Sequence, residues 1–383
     1  MYAAIRNSAC HDHRAALNRV FIMALLTVSL LCFPVLAMDQ EEIMESQSAA
    51  LDLDKLEGAA GKYAPKIDWT KQPDIASGLK AILETGTESM HGIVRKAMKS
   101  GMIILVIVLF SGLATGTASC GNNKVMNTVP IAASLAISAI SVIDVNALIG
   151  LGRETIEEME IFSQVLLPTI AAAAAASGTP MGAAARQMAT VLFSDVLISL
   201  ITRLLLPLVY AYIASITASA AINNEGLKRI AQTLKWVVTS ILTVVLLAFV
   251  GYLTVSGVIA GTTDAITLKA TKFTVSSIVP VVGGILSDAA ETVLAGAGIL
   301  KNSIGVFGML SVLGMCIGPF LQLGVNYLIY KMTAAVSATV AESRIVGLID
   351  GIGGGFGLVL GMTGACALLL LISMVSMIGL VSR

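Results

Sequence analysis

Long apolar runs alternate with short polar interludes along most of this chain. Hydrophobic stretches occupy 101–119, 126–150, 161–178, 188–222, 236–260, 278–300, 303–330 and 351–380. Each approaches or exceeds the roughly 20 residues that an α-helix needs to cross hydrocarbon. Inside lipid the backbone must satisfy its own hydrogen bonds, so these stretches predict helices. The pattern predicts an all-α, polytopic transmembrane bundle of about seven or eight helices. The stretch at 278–300 contains Asp288 and Glu291 and is the weakest of the set.

Upstream the pattern changes. Met38–Ser100 holds 19 charged residues in 63 positions, against 25 in the 283 positions of Gly101–Arg383, which separates a polar segment from a membrane domain. Pro65 and Pro73 cut the polar segment into short pieces. Ile75, Leu79, Ile82 and Leu83 then recur at helical spacing, predicting an amphipathic helix that lies on the bilayer or docks on another protein. Arg14 and Arg19 precede the apolar run "VFIMALLTVSLLCFPVLA", which closes on Val35-Leu36-Ala37. That is the layout of a cleaved secretory signal over residues 1–37, the alternative being an uncleaved anchor helix, and either places Met38 onward outside the cytoplasm. Leu31 is too bulky for Cys32 to be a lipoprotein site.

Composition narrows the function. Of the 383 residues 56% are hydrophobic and 13% charged, where soluble domains carry roughly 25% charged residues. The bilayer is therefore a partner. Net charge is zero and no basic cluster stands out, so nucleic acid is not expected as one. Cys10 and Cys32 leave with the signal, and Cys120, Cys316 and Cys366 are too dispersed for a disulfide framework or a metal site. His91 is then the only histidine left, which starves any histidine triad or zinc centre. "GIGGGFG" at 351–357 lacks the spacing of a phosphate loop, and no Walker lysine follows a glycine loop. No catalytic residue, metal or cofactor is expected.

Sliding the chain by 112 residues places Pro168 on Pro280, Pro207 on Pro319 and Thr155 on Thr267, suggesting repeats over 136–247 and 248–359. The polar interlude "LIGLGRETIEEMEIFSQVLLP" (148–168) then lies on "AGTTDAITLKATKFTVSSIVP" (260–280). Glu157 falls on Lys269 and Glu160 on Lys272. Acidic in one copy and basic in the other, the interludes suggest repeats of opposite orientation, as in some transporters. One segment opposes this. With the N-terminus outside and four plain crossings, "NNEGLKRIAQTLKW" falls outside despite Lys228, Arg229 and Lys235. A re-entrant 188–222, broken near Pro207, would reconcile it.

Charges within apolar segments are costly, which makes them candidates for function. Asp195 and Arg203 are eight residues apart, and Asp288 and Glu291 share a helix face. The bland alternative is pairing with other helices or a place at the interface. Glycines at fourfold spacing, Gly112 and Gly116, Gly314 and Gly318, and Gly353, Gly357 and Gly361, suit close helix packing.

The segment "VSGVIAGTTDAITLKATKFTVSSIVPVVGGILSDAAETVLAGAGILKNSIGVFGML" (255–310) resembles the stage III sporulation protein AE family of endospore-forming Firmicutes. The likeness continues through "YLIYKMTAA" (327–335) and covers 100–383. It implies a sporulation protein made in the mother cell and placed in the membrane around the engulfed forespore. There, family members work with the other stage III A proteins and a forespore membrane partner in a secretion-like channel complex. That apparatus serves forespore development and late forespore gene expression. The family brings no catalytic residues. Its signature positions match Gly257, Asp264, Thr267, Lys269, Lys272, Phe273, Pro280, Asp288, Lys301 and Asn302, which join the candidates as recognition marks. The rival reading is a small-solute permease that acts alone, built on inverted repeats.

Overall fold

The computed structural model describes residues 40–65, 69, 75–118, 123–278 and 283–378, with side chains left out at 40–44, 117, 118, 123–127 and 257–292. Among the described residues every regular element is helical. Two short helices, α1 (Gln40–Ala50) and α2 (Leu53–Ala60), precede α3 (Ile75–Ala118), α4 (Asn123–Ala176), α5 (Pro180–Leu200), α6 (Leu206–Ile222), α7 (Glu225–Ile278), α8 (Gly283–Ser337) and α9 (Ser343–Ile378).

Six of these units are long and apolar enough to cross a membrane, α5 and α6 counting as one. The expected seven or eight spans shrink because two expected pairs are each a single helix. The stretches 126–150 and 161–178 both belong to α4, and 278–300 and 303–330 merge into α8. Polar residues do not by themselves break a helix, and Glu, Arg, Leu and Met in 151–160 are strong helix formers. Arg153 Nε also donates to Glu157 Oε1 at 2.8 Å across one turn. At 54 residues α4 is about 80 Å long, far beyond a hydrocarbon thickness of about 30 Å, so it must protrude or tilt.

The connections follow local chemistry. Gly178, with φ of 92°, ends the turn after α4, Thr179 Oγ1 donates back to the Ala174 carbonyl, and Pro180 opens α5. Asn223 adopts the left-handed region at φ 55°, and Asn224 Oδ1 accepts from the Gly226 amide to start α7. Between α5 and α6 the helix widens into a π turn at Ile201–Leu205. Pro207 has no N–H and its ring collides with the carbonyl four residues back, and the wider turn absorbs that conflict. The expected re-entrant break is thus a continuous helix. With 126–178 in one helix, the loop at 223–224 follows three such helices instead of four, the count that an outside N-terminus would need to put Lys228, Arg229 and Lys235 on the cytoplasmic side.

Helix α9 sits at the centre. It runs antiparallel to α8, with Asp350 beside Lys331 and Gly308 beside Met374. It also runs antiparallel to the α5–α6 unit, from Arg186 beside Ser376 to Tyr212 beside Gly351. Helix α4 lies antiparallel to α8, pairing Asp144 with Tyr330 and Met159 with Cys316. Helix α3 follows α8 in parallel, from Gly78 near Leu310 to Gly101 near Ile329. It passes through residue 100 without interruption. Cys316 and Cys366 are buried free thiols, and Cys120 lies outside the described residues.

The polar N-terminal segment packs on its own bundle. Leu53, Leu56 and Ala60 of α2 are buried in the core, and the Trp69 ring lies 5.2 Å from that of Phe307 on α8. Gln47 Nε2 on α1 donates to the Val293 carbonyl. Tyr63 first, and Glu158 of α4 after it, hold the exposed Lys62 ammonium above its usual range. Ile75, Leu79 and Leu83 remain exposed at the start of α3, because Gly78 and Gly86 carry its contact with α8.

Candidate functional site

Three polar clusters lie between the helices. The first gathers at the end of α9. Lys301 is fully buried, and its Nζ donates to the carbonyl of Ile378, the last residue of α9, at 3.4 Å. Carbonyls in a last turn have no partner within their helix and carry the negative end of its dipole, so an ammonium there caps it. Arg186 of α5 is buried, and its Nε donates to Ser376 Oγ at 2.7 Å. One turn along, Thr190 hydrogen-bonds Ser373. Asn302 is half-buried, and its Oδ1 has no partner among the described residues.

The second cluster surrounds the glycine tract of α9. A Cβ on Gly353 would sit 3.0 Å from Tyr330 Cβ, one on Gly354 2.7 Å from Tyr212 Oη, and one on Gly355 3.0 Å from Ile213 Cδ1. The tract therefore lets α6 and α8 close on α9 from both sides. Tyr212 then reaches the Gly351 carbonyl with its hydroxyl at 3.0 Å. Gly357 adjoins Tyr327, whereas Gly361 is exposed with nothing nearby. Lys331 and Asp350 close the end of this seam at 2.6 Å.

The third joins α4 to α8. Tyr330, fully buried, donates its hydroxyl to Asp144 Oδ2 at 3.0 Å and lies 3.3 Å from Ser141 Oγ. Its ring meets Phe356 of α9 edge-on at 5.0 Å.

The sequence candidates scatter. Asp195 on α5 and Arg203 in the π turn are exposed on the outside of the bundle. Gly257, Asp264, Thr267, Lys269, Lys272 and Phe273 belong to α7, and Asp288 and Glu291 to α8, with side chains outside the described residues. Pro280 lies wholly outside them. Of the remaining glycines, Gly112 packs on Val340 and Gly314 on Tyr63, while a Cβ added at Gly116 or Gly318 would meet no side chain or neighbouring helix within 4 Å. Arg186 and Asp144 were missed by sequence. Asp144 is the lone charge in the stretch 126–150, a signal that the cost of burying charge would have singled out.

Long apolar helices with charges locked between them define a polytopic helical membrane protein. The family model for stage III sporulation protein AE matches residues 70–381, and the chain belongs to that family. Stage III sporulation protein AE of Bacillus subtilis (strain 168) is 27% identical over 202 residues, covering 53% of this chain and 51% of that protein. The chain thus matches about half the length of this curated relative. No solved structure matches it.

Proposed function

We propose that this chain is a membrane component of the stage III A secretion-like channel complex that connects mother cell and forespore. In this reading it is non-enzymatic and serves forespore development and late forespore gene expression. The observation that carries it is the family match across almost the whole helical bundle. The chain would sit in the mother-cell membrane around the forespore, with its N-terminal helices outside the cytoplasm once the signal is removed. Its partners would be the other stage III A proteins and a protein of the forespore membrane. The exposed Ile75, Leu79 and Leu83 stripe offers such a partner an apolar surface.

The charges held inside the bundle favour a second reading, a small-solute permease acting alone. An internal duplication over 136–247 and 248–359 would suit such a carrier. The interludes at 148–168 and 260–278 both lie inside helices of 54 residues, α4 and α7. The double variant Asp288→Asn with Glu291→Gln separates the two readings. A channel scaffold tolerates the change if it folds, whereas a carrier that uses these carboxylates loses its function at normal protein level.

A further inference from the structure

Helices α3, α4 and α8 line an open cleft of about 440 Å³ whose Ser89 and Lys96 wall is exposed and whose Asp144, Gln322 and Asn326 side is half-buried, within the size range of small-molecule sites. Its polar lining comes from all three helices: Ser89 and Lys96 from α3, Asp144 from α4, and Gln322 and Asn326 from α8. Leu148 adds an apolar wall. Asp144 is not a stray surface charge, because the buried Tyr330 hydroxyl holds one of its oxygens at 3.0 Å and Tyr330 is fixed in turn by Phe356. Lys96 and Asp144 share the cleft, and no ion pair joins them among the described residues.

We propose that this cleft binds a small zwitterion of the free α-amino acid type, its ammonium on Asp144 and its carboxylate on Lys96. The two amides of Gln322 and Asn326 complete the hydrogen bonding around the charged ends. Opposite charges on separate walls select against the alternatives as much as for the ligand. An inorganic anion meets the Asp144 carboxylate, a metal cation meets the Lys96 ammonium, and a neutral sugar leaves both charges without partners. The inference goes beyond membership of the sporulation complex, since it concerns what this chain binds by itself.

The test is thermal unfolding of the purified full chain in detergent against the standard L-amino acids, with acetate, methylammonium and a neutral sugar as controls. A ligand that binds only the folded state raises the unfolding temperature in proportion to its occupancy. The expected result is stabilisation by one or a few amino acids and by none of the controls. Asp144→Asn and Lys96→Met each weaken it roughly tenfold or more, the effect of losing a hydrogen bond to a charged group. Asn326→Leu, which leaves both charges in place, supplies the comparison should Asp144→Asn fail to fold, and it too weakens binding. Stabilisation by no amino acid overturns the proposal. So does an equal response in the wild type and all variants, or a response to acetate or methylammonium as strong as to the zwitterion. None of these outcomes bears on whether the host needs the protein to sporulate.

Discussion

Lys331 Nζ lies 2.6 Å from Asp350 Oδ1, tying the end of α8 to the start of α9 beside the glycine tract. Both side chains are partly exposed, at 30% and 51%, so water screens the attraction. A double-mutant cycle with Lys331→Met and Asp350→Asn is expected to give a coupling energy of about 0.5–1 kcal/mol. It is read from unfolding of the purified protein in detergent. The contribution is small, and the seam rests mainly on packing.

Gly353→Val is expected to lower stability by about 1–3 kcal/mol, because its Cβ must push into the fixed Cβ of Tyr330 rather than into a flexible side-chain tip. Gly361→Val, with open space around it, should stay within about 0.5 kcal/mol of wild type. Thermal unfolding of the two variants side by side checks the contrast.

Lys301→Met should loosen the last turn of α9, since it removes the donor to the Ile378 carbonyl. Hydrogen exchange across 372–378 is expected to quicken roughly tenfold, the worth of one charge-assisted hydrogen bond, while Lys301→Arg keeps most of the protection. Global stability should change little, because an apolar side chain fills a buried charge's place at low cost.

Leu56→Asp places a charge where a fully buried leucine docks α2 on the bundle. The N-terminal helices should then detach and be cut within 40–65 by limited proteolysis, while the bundle from α3 onward resists. Trp69→Ala, which removes the ring contact with Phe307, should give the same pattern more weakly.

The apolar runs made the helices legible, because length alone fixes a crossing. Where one helix ends was not legible, since Arg153 to Glu160 are polar yet favour helix, and Lys301 is charged yet swallowed whole. The glycine spacing marks a small-residue stripe without saying what faces it. Gly353 adjoins Tyr330 and Gly361 adjoins nothing, though the two obey one repeat. Asp144 could be singled out by its solitude, but its partner Tyr330 is 186 residues away, and no local pattern carries that pairing. A cleft assembled from three separate helices is invisible for the same reason.

A protein of the channel complex must be required in sporulating cells. The decisive measurement deletes the gene in its host and follows engulfed forespores by membrane-dye microscopy together with a late forespore-specific reporter. Forespores that shrink or stay dark, and recover when the wild-type chain is restored, are the predicted result. Normal refractile spores with full reporter activity would contradict it and leave the lone permease as the reading to test.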